Sequence, residues 1–169
     1  MNSSTATPAS DRLVQDTEAL LRMFAGGGTL AGLYGLSEHE LDALDAFGLG
    51  YYQQARYADA MKVFARLVTM RHGEPRYLNA LAAAHQMLGE HERAVHYWGV
   101  SQLLDPSDPV PTFHTAHSLL ALGLVDDALD ALEITLQQSA RQPGHAPLHA
   151  RAEALQALVR SKSTAARAA

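Results

Sequence analysis

The sequence predicts an all-α fold built from helical hairpins that repeat along the chain. Similar residues recur at an offset of 34 positions through residues 41–138, and no insertion breaks this register. The apolar residues are mostly Ala and Leu, with few Val and Ile, a composition that favours helix over sheet. A period of 34 residues is that of the tetratricopeptide repeat. We therefore expect three tandem tetratricopeptide hairpins forming a curved solenoid, with an N-terminal helix before them and a C-terminal capping helix after them.

Each unit places small and large apolar residues where a helical hairpin needs them. Small residues at the eighth and twentieth positions let two antiparallel helices approach closely, and they are Gly48, Ala82, Ala116, Ala60, Ala94 and Ala128. Large residues at the twenty-fourth position fill the space between hairpins, and they are Phe64, Trp98 and Leu132. Because one hairpin cannot bury its apolar face alone, the three units must stack.

The boundaries follow from the period and from signals at the helix ends. Ser37 and Glu40 form a capping box, which marks the start of the first repeat. The predicted helices cover 41–54, 57–70, 75–88, 91–104, 109–122 and 125–138. The predicted segments are a disordered N-terminus at 1–9, an N-terminal helical segment at 10–40, repeats at 41–74, 75–108 and 109–138, a capping helix at 139–160 and a flexible tail at 161–169.

The spacing of apolar residues in the N-terminal segment predicts a helix with one apolar stripe. The stripe includes Leu13, Leu20, Leu21 and Phe24. A helix this short is marginal in isolation, so it must dock either on its own repeats or on a second copy of the chain. Sequence patterning does not separate these two possibilities, and homodimerisation through the stripe is one of them.

Composition excludes several classes of function. A net charge of −5 argues against a nucleic-acid surface. The chain has no Cys, which excludes thiol chemistry and fits a reducing cytoplasm. The first twelve residues lack an apolar stretch, so we expect no signal peptide. No apolar run approaches the roughly 18–20 residues that span a bilayer, so we expect a cytoplasmic protein without direct membrane insertion.

No motif for catalysis, metal binding or cofactor binding is present. Among nine His, His114 and His117 lie one helical turn apart, but two ligands alone do not make a metal site. The run Gly26-Gly27-Gly28 follows no predicted strand and lacks the spacing of a phosphate-binding loop, so we interpret it as a helix break. The sequence therefore predicts a binding protein and not an enzyme, with no catalytic residue, metal or cofactor.

The concave side of the predicted solenoid is the expected binding site. The second, fifth, ninth and twelfth positions of the first helix in each hairpin lie on one stripe that faces this side. The candidate groove residues, with two neighbouring positions, are Asp45, Leu49, Tyr52, Gln53, Arg76, Asn79, Ala83, Gln86, Phe113, His114, His117 and Leu120. Amides that pair with a backbone, next to apolar pockets, suit an extended peptide.

Two features limit this interpretation. Tyr52 and Phe113 lie on faces where a shift of one residue would place them in the core instead of the groove. Arg76 is the only cation among the groove positions of the three units, which argues against a clamp for a peptide C-terminal carboxylate.

Three segments resemble the class II chaperones of bacterial type III secretion. They are Gly27-Gly28-Thr29-Leu30, the run LDAFGLGYYQQARYADA at 44–60, and Phe113-His114-x-Ala116. The similarity extends from about residue 20 to residue 138. The chain has Leu49 where the family often has Phe.

The resemblance implies a specific function. Members of this family hold two hydrophobic translocator proteins in the cytoplasm before export, and they bind an extended N-terminal segment with a Pro-x-Leu-x-x-Pro-like motif. The residues that would hold the segment here are Leu49, Tyr52, Arg76, Asn79, Phe113 and His117. The N-terminal helix of the family often mediates homodimerisation. The alternative is a general tetratricopeptide adaptor that binds a folded partner through its convex or terminal surface.

Overall fold

The computed structural model describes the backbone of residues 8–168 and the side chains of residues 12, 15–19, 21–23 and 25–163. All regular secondary structure in this part of the chain is helical. The helices are α1 (Pro8–Ala25), α2 (Leu30–Leu33), α3 (Glu38–Gln53), α4 (Tyr57–Met70), α5 (Pro75–Met87), α6 (His91–Leu104), α7 (Pro109–Ala121), α8 (Val125–Ser139) and α9 (Ala146–Ala168), with a 3-10 turn at Pro143–His145 before α9. Helices α3 to α8 form three hairpins, and each packs on the next.

Local sequence explains where the hairpins begin. The Ser37 hydroxyl accepts a hydrogen bond from the Glu40 backbone N–H at 3.3 Å, and the Glu40 carboxylate accepts one from the Ser37 N–H at 2.8 Å, so the predicted capping box is confirmed. Pro75 and Pro109 occupy the first turns of α5 and α7, where a missing N–H costs nothing. These signals set the register of the repeats along the chain.

The turn inside each hairpin uses a left-handed residue at the fifteenth position. Gly89 and Gly123 both have φ of 76°, and Ala55 has φ of 58°. Glycine enters this region without the steric cost that a Cβ imposes. The first hairpin therefore contains a strained residue where the other two have none.

The core forms between the hairpins as the repeat pattern requires. Phe64 is fully buried against Gly48, and a Cβ added at Gly48 would lie 2.6 Å from the Phe64 ring. The first cluster joins α3, α4 and α5 through Leu41, Phe64, Leu67, Tyr77 and Leu81. A second cluster joins α7, α8 and α9 through Phe113, Ala116, Ala131, Leu132 and Ala152. Gly48 therefore allows the close approach of α3 and α4.

Helix α9 occupies the place of the first helix of a fourth hairpin. Pro143 follows Pro109 by the same 34 residues that separate Pro109 from Pro75, and the chain turns into α9 there. Helix α9 packs on α8 as α5 packs on α4 and α7 on α6. The prediction of a capping helix at 139–160 does not identify this half-repeat, which begins at Pro143.

The two ends of the chain differ from the expectation. Helix α9 continues to Ala168, where the sequence predicts a flexible tail from residue 161, because no Gly or Pro interrupts residues 148–168. At the other end, residues 1–7 of the predicted disordered segment lie outside the described residues, and helix α1 begins at Pro8. No helix in the described part is long and apolar enough to span a bilayer.

The segment before the repeats is only partly anchored. Ala31 is buried, and Leu30 and Leu36 pack against the core of the first hairpin. On α1, Leu21 is 63% exposed. The other stripe residues lie outside the described side chains, namely Leu13, Leu20 and Phe24. Docking of α1 therefore stays a prediction.

Candidate functional site

Groove residues of the first and second hairpins contact each other between α3 and α5. The Arg76 guanidinium on α5 contacts Asp42 at 2.9 Å and Asp45 at 3.8 Å, both on α3. Glu74 lies 3.7 Å from the same group. Burial raises the pKa of the Asp45 carboxyl, and Arg76 opposes that rise. Three carboxylates around one guanidinium make this end of the concave side net negative.

The first unit also presents an apolar surface. Leu49 is 44% exposed, and Gln53 beside it is exposed as well. Tyr52 is half-buried, with its ring edge-on to Tyr57 at 5.2 Å, and desolvation raises the pKa of its hydroxyl. Part of Tyr52 thus belongs to the core, while another part faces solvent.

Asn79 in the second unit carries an unpaired acceptor. Its Oδ1 atom is buried and accepts no hydrogen bond from any residue that the structure describes. Ala83 and Gln86 follow on the same helix and are partly exposed. A buried amide oxygen without a donor costs roughly 1–3 kcal/mol, so a rotation of this partly exposed side chain toward a ligand N–H would be favourable.

Phe113 is not a pocket residue. The sequence predicts it as a groove contact, but the structure places it in the second core cluster with 1% exposure. The reason is α9, whose Ala152 packs against the same cluster and whose Arg151 guanidinium lies 4.9 Å above the Phe113 ring. Phe113 therefore lies below the surface that a ligand could reach.

The two groove histidines are held neutral. The His114 ring stacks on Trp98 at 4.9 Å, and burial lowers its pKa to about 4, helped by the nearby charges of His117 and Arg151. His117 lies edge-on to Phe113 at 4.7 Å, and burial lowers its pKa as well, with Arg151 adding to the effect. Neutral imidazoles can each donate one hydrogen bond and accept another. Within the described residues, no three His, Asp or Glu side chains converge as metal ligands.

Leu120 lines an apolar cavity of about 530 Å³ at the end of the third unit. Leu155, Leu158 and Val159 of α9 form its opposite wall, and Lys162 lies at its rim. The sequence analysis predicts Leu120 for the groove but misses the α9 residues.

Arg151 is the other residue that sequence reasoning misses. It holds the ninth position of the fourth half-repeat, in register with Leu49, Ala83 and His117. Arg76 is the only Lys or Arg at the predicted groove positions of the three units, and Arg151 adds a cation beyond them. The 34-residue spacing from Pro109 to Pro143 was the signal that could have revealed it.

Known proteins resemble this chain over the repeats and beyond. The family model described as "Anaphase-promoting complex, cyclosome, subunit 3" matches residues 53–135. Low calcium response locus protein H of Yersinia pestis is 32% identical over 114 residues, which cover 68% of this chain and 68% of the relative. The chain belongs to the low calcium response locus protein H family, the class II type III secretion chaperones.

Solved structures place this chaperone in the same fold. A chain in a T3SS complex from Aeromonas hydrophila matches with a TM-score of 0.84 and 30% identity, over 87% of this chain and 98% of that chain. PcrH of Pseudomonas aeruginosa, bound to the chaperone binding region of PopD, matches with a TM-score of 0.74 and 36% identity, over 76% and 97%. The predicted repeat solenoid and the resemblance to translocator chaperones are both confirmed.

Proposed function

We propose that this protein is a cytoplasmic chaperone that holds an extended segment of a hydrophobic translocator on the concave side of its repeats before export. The observation that carries the proposal is the row of exposed and partly exposed side chains at the groove positions of successive repeats, among them Leu49, Asn79 and His117. Amide side chains such as Asn79 can pair with an extended backbone, and apolar side chains such as Leu49 can contact its side chains. PcrH in complex with segments of PopD and of PopB, and SycD in complex with a YopD peptide, support the same cargo class.

The proposed contact surface differs in part from the sequence prediction. Residues with exposed or partly exposed side chains line it, namely Leu49, Tyr52, Gln53, Asn79, Ala83, Gln86, His117 and Leu120. Phe113 and the stacked His114 support this surface from below. Asp42, Asp45 and Glu74 surround Arg76 at the first end and leave that end net negative.

The chemistry of this surface suits temporary storage. A translocator carries apolar segments that would aggregate or insert early if left in water. Masking an extended part of such a chain orders it, so the net affinity per area is modest. Export could therefore release the cargo without a nucleotide cycle.

A second copy of the chain is the proposed partner of α1. Leu21, 63% exposed, is the apolar side chain of α1 that such a contact would cover. A crystal structure of SycD described as an alternative dimer supports homodimerisation. Light scattering should find a dimer for the full chain and a monomer for Leu21→Asp. A dimer of unchanged affinity in Leu21→Asp would exclude α1 as the contact.

Asn79→Ala tests the groove directly. We expect it to weaken binding of a fluorescent peptide from the chaperone binding region of PopD by roughly fivefold, because one amide hydrogen bond is worth about 1 kcal/mol. The melting temperature should not fall, since the variant breaks no hydrogen bond of the Asn79 Oδ1 atom and removes a buried oxygen that lacks a donor.

The matched control is Gln137→Ala, which shortens an exposed amide on α8. It should leave peptide binding as it is in the wild type. Equal affinity of Asn79→Ala and wild type would remove the groove from the proposal. Capture of a folded partner by both variants would instead support the adaptor function.

A further inference from the structure

Arg151 is a cation that no carboxylate neutralises. Its exposed side chain makes no ion pair within the described part of the chain, and its guanidinium rests on the Phe113 ring. Several other arginines are paired: Arg71 pairs with Glu38, and Arg93 pairs with Glu90. A guanidinium held over an aromatic ring keeps its donors directed outward, where a ligand can use them.

The acidic residues near Arg151 already have other partners. Glu153 on the same helix lies 3.5 Å from His149. Glu133 on α8 accepts a hydrogen bond from Gln156 at 3.1 Å. Neither carboxylate forms an ion pair with Arg151 within the described residues, and Glu133 lies 4.0 Å from Arg160 instead.

The surroundings of Arg151 suit a single carboxylate. His114 and His117 lie beside it as neutral rings, and its charge helps to lower the pKa of both. A neutral imidazole N–H and a guanidinium fork together offer the donors that one carboxylate accepts. A polyanion fits poorly, because the chain has a net charge of −5 and the other end of the groove is acidic.

The two ends of the concave side thus carry opposite charge. Asp42, Asp45 and Glu74 surround Arg76 at the end near α3, and Arg151 stands alone at the end near α9. We propose that Arg151 binds the side-chain carboxylate of an Asp or Glu in the cargo segment, and that this contact orients the extended segment along the groove. The proposal rests on the proposed function, since it names the chemistry of the segment that the groove holds.

The experiment begins with a random 12-residue peptide library displayed on phage and selected on the full-length protein. Wild type should enrich an acidic residue toward one end of the selected peptides. Arg151→Glu should deplete that acidic residue and enrich a basic one at the same place. Library display leaves the choice of sequence to the groove, so no cargo has to be assumed.

A selected peptide and its Glu→Gln form are then titrated by fluorescence polarisation. Arg151→Gln should weaken the binding of the Glu peptide by roughly 5- to 20-fold, as expected for a charge-assisted hydrogen bond that is partly exposed. It should leave the affinity of the Gln peptide unchanged. Arg66→Gln, which removes an exposed arginine on α4, is the matched control and should change neither affinity.

The outcomes separate this inference from the proposed function. If wild type binds the Glu peptide and the Gln peptide with equal affinity, the proposed role of Arg151 is overturned. The proposed groove function would still stand in that case. A requirement for a free C-terminal carboxylate, lost on amidation, would overturn the side-chain assignment. A library without any binder, on protein whose circular dichroism shows the native helices, would refute the groove function and this inference together.

Discussion

Replacing His114 with glutamine should make the fold less sensitive to acid. The His114 ring is buried against Trp98, and its pKa falls from 6.5 to about 4 in the folded state. Between these two pH values, the unfolded chain therefore binds a proton at this imidazole more readily than the folded protein does. Stability from the neutral ring is complete above pH 6.5 and is lost as the pH falls toward 4.

The expected size follows from the two pKa values. At about 1.4 kcal/mol per pKa unit, the difference between 6.5 and about 4 corresponds to about 3 kcal/mol lost at full protonation. For one titrating site with these two pKa values, proton linkage predicts that about 2 kcal/mol of this stability is already lost at about pH 5. Carboxylates with lowered pKa, such as Glu90 and Asp59, add acid sensitivity that the wild type and the variant share.

Urea unfolding followed by circular dichroism at about pH 7.5 and about pH 5 measures this difference. From the higher to the lower pH, the free energy of unfolding should fall by about 2 kcal/mol more in wild type than in His114→Gln. The absolute stability of the variant does not matter, because only its change with pH is compared. His96→Gln, at an exposed position on α6, controls for loss of a surface histidine. Equal losses in wild type and His114→Gln would refute the reasoning.

Two further predictions concern the core and the turns. Ala55→Gly should stabilise the protein by about 0.5–1 kcal/mol in urea unfolding, because Ala55 has φ of 58° where glycine carries no Cβ strain, and an Ala55→Val variant should be less stable than wild type. Phe113→Ala should cost about 3–5 kcal/mol in the same measurement, since the ring is fully buried, while Phe47→Ala at an exposed site should cost far less. A Phe113→Ala protein of wild-type stability would place that ring on the surface after all.

The repeated hairpins could be predicted closely from the sequence. Helices α4 and α6 begin and end where the period places them, and the other repeat helices differ by at most three residues. The reason is physical: Gly48 and its equivalents permit close helix contact, and Phe64 and its equivalents fill the gap beside it. Each unit has the same steric problem, so it repeats the same residues.

The last part of the groove could not be predicted in the same way. Helix α9 begins in register with the earlier units, but Ala157 stands at the fifteenth position, where the other units turn. The helix therefore continues, and the second half of the repeat pattern never appears. Its Ala152 and Arg151 cover Phe113, which a three-unit pattern leaves open.

A repeat position indicates which way a side chain points, but not whether that side chain is available to a ligand. Arg76 and Arg151 both hold groove positions, yet three carboxylates surround the first and none contacts the second within the described residues. Asn79 and Phe113 hold the same position in successive units, yet one has an unpaired oxygen and the other is covered. Availability depends on neighbours one repeat away. Among the groove positions, Asn79 and Arg151 carry polar groups that no described neighbour pairs, so their replacement should change binding with little effect on folding.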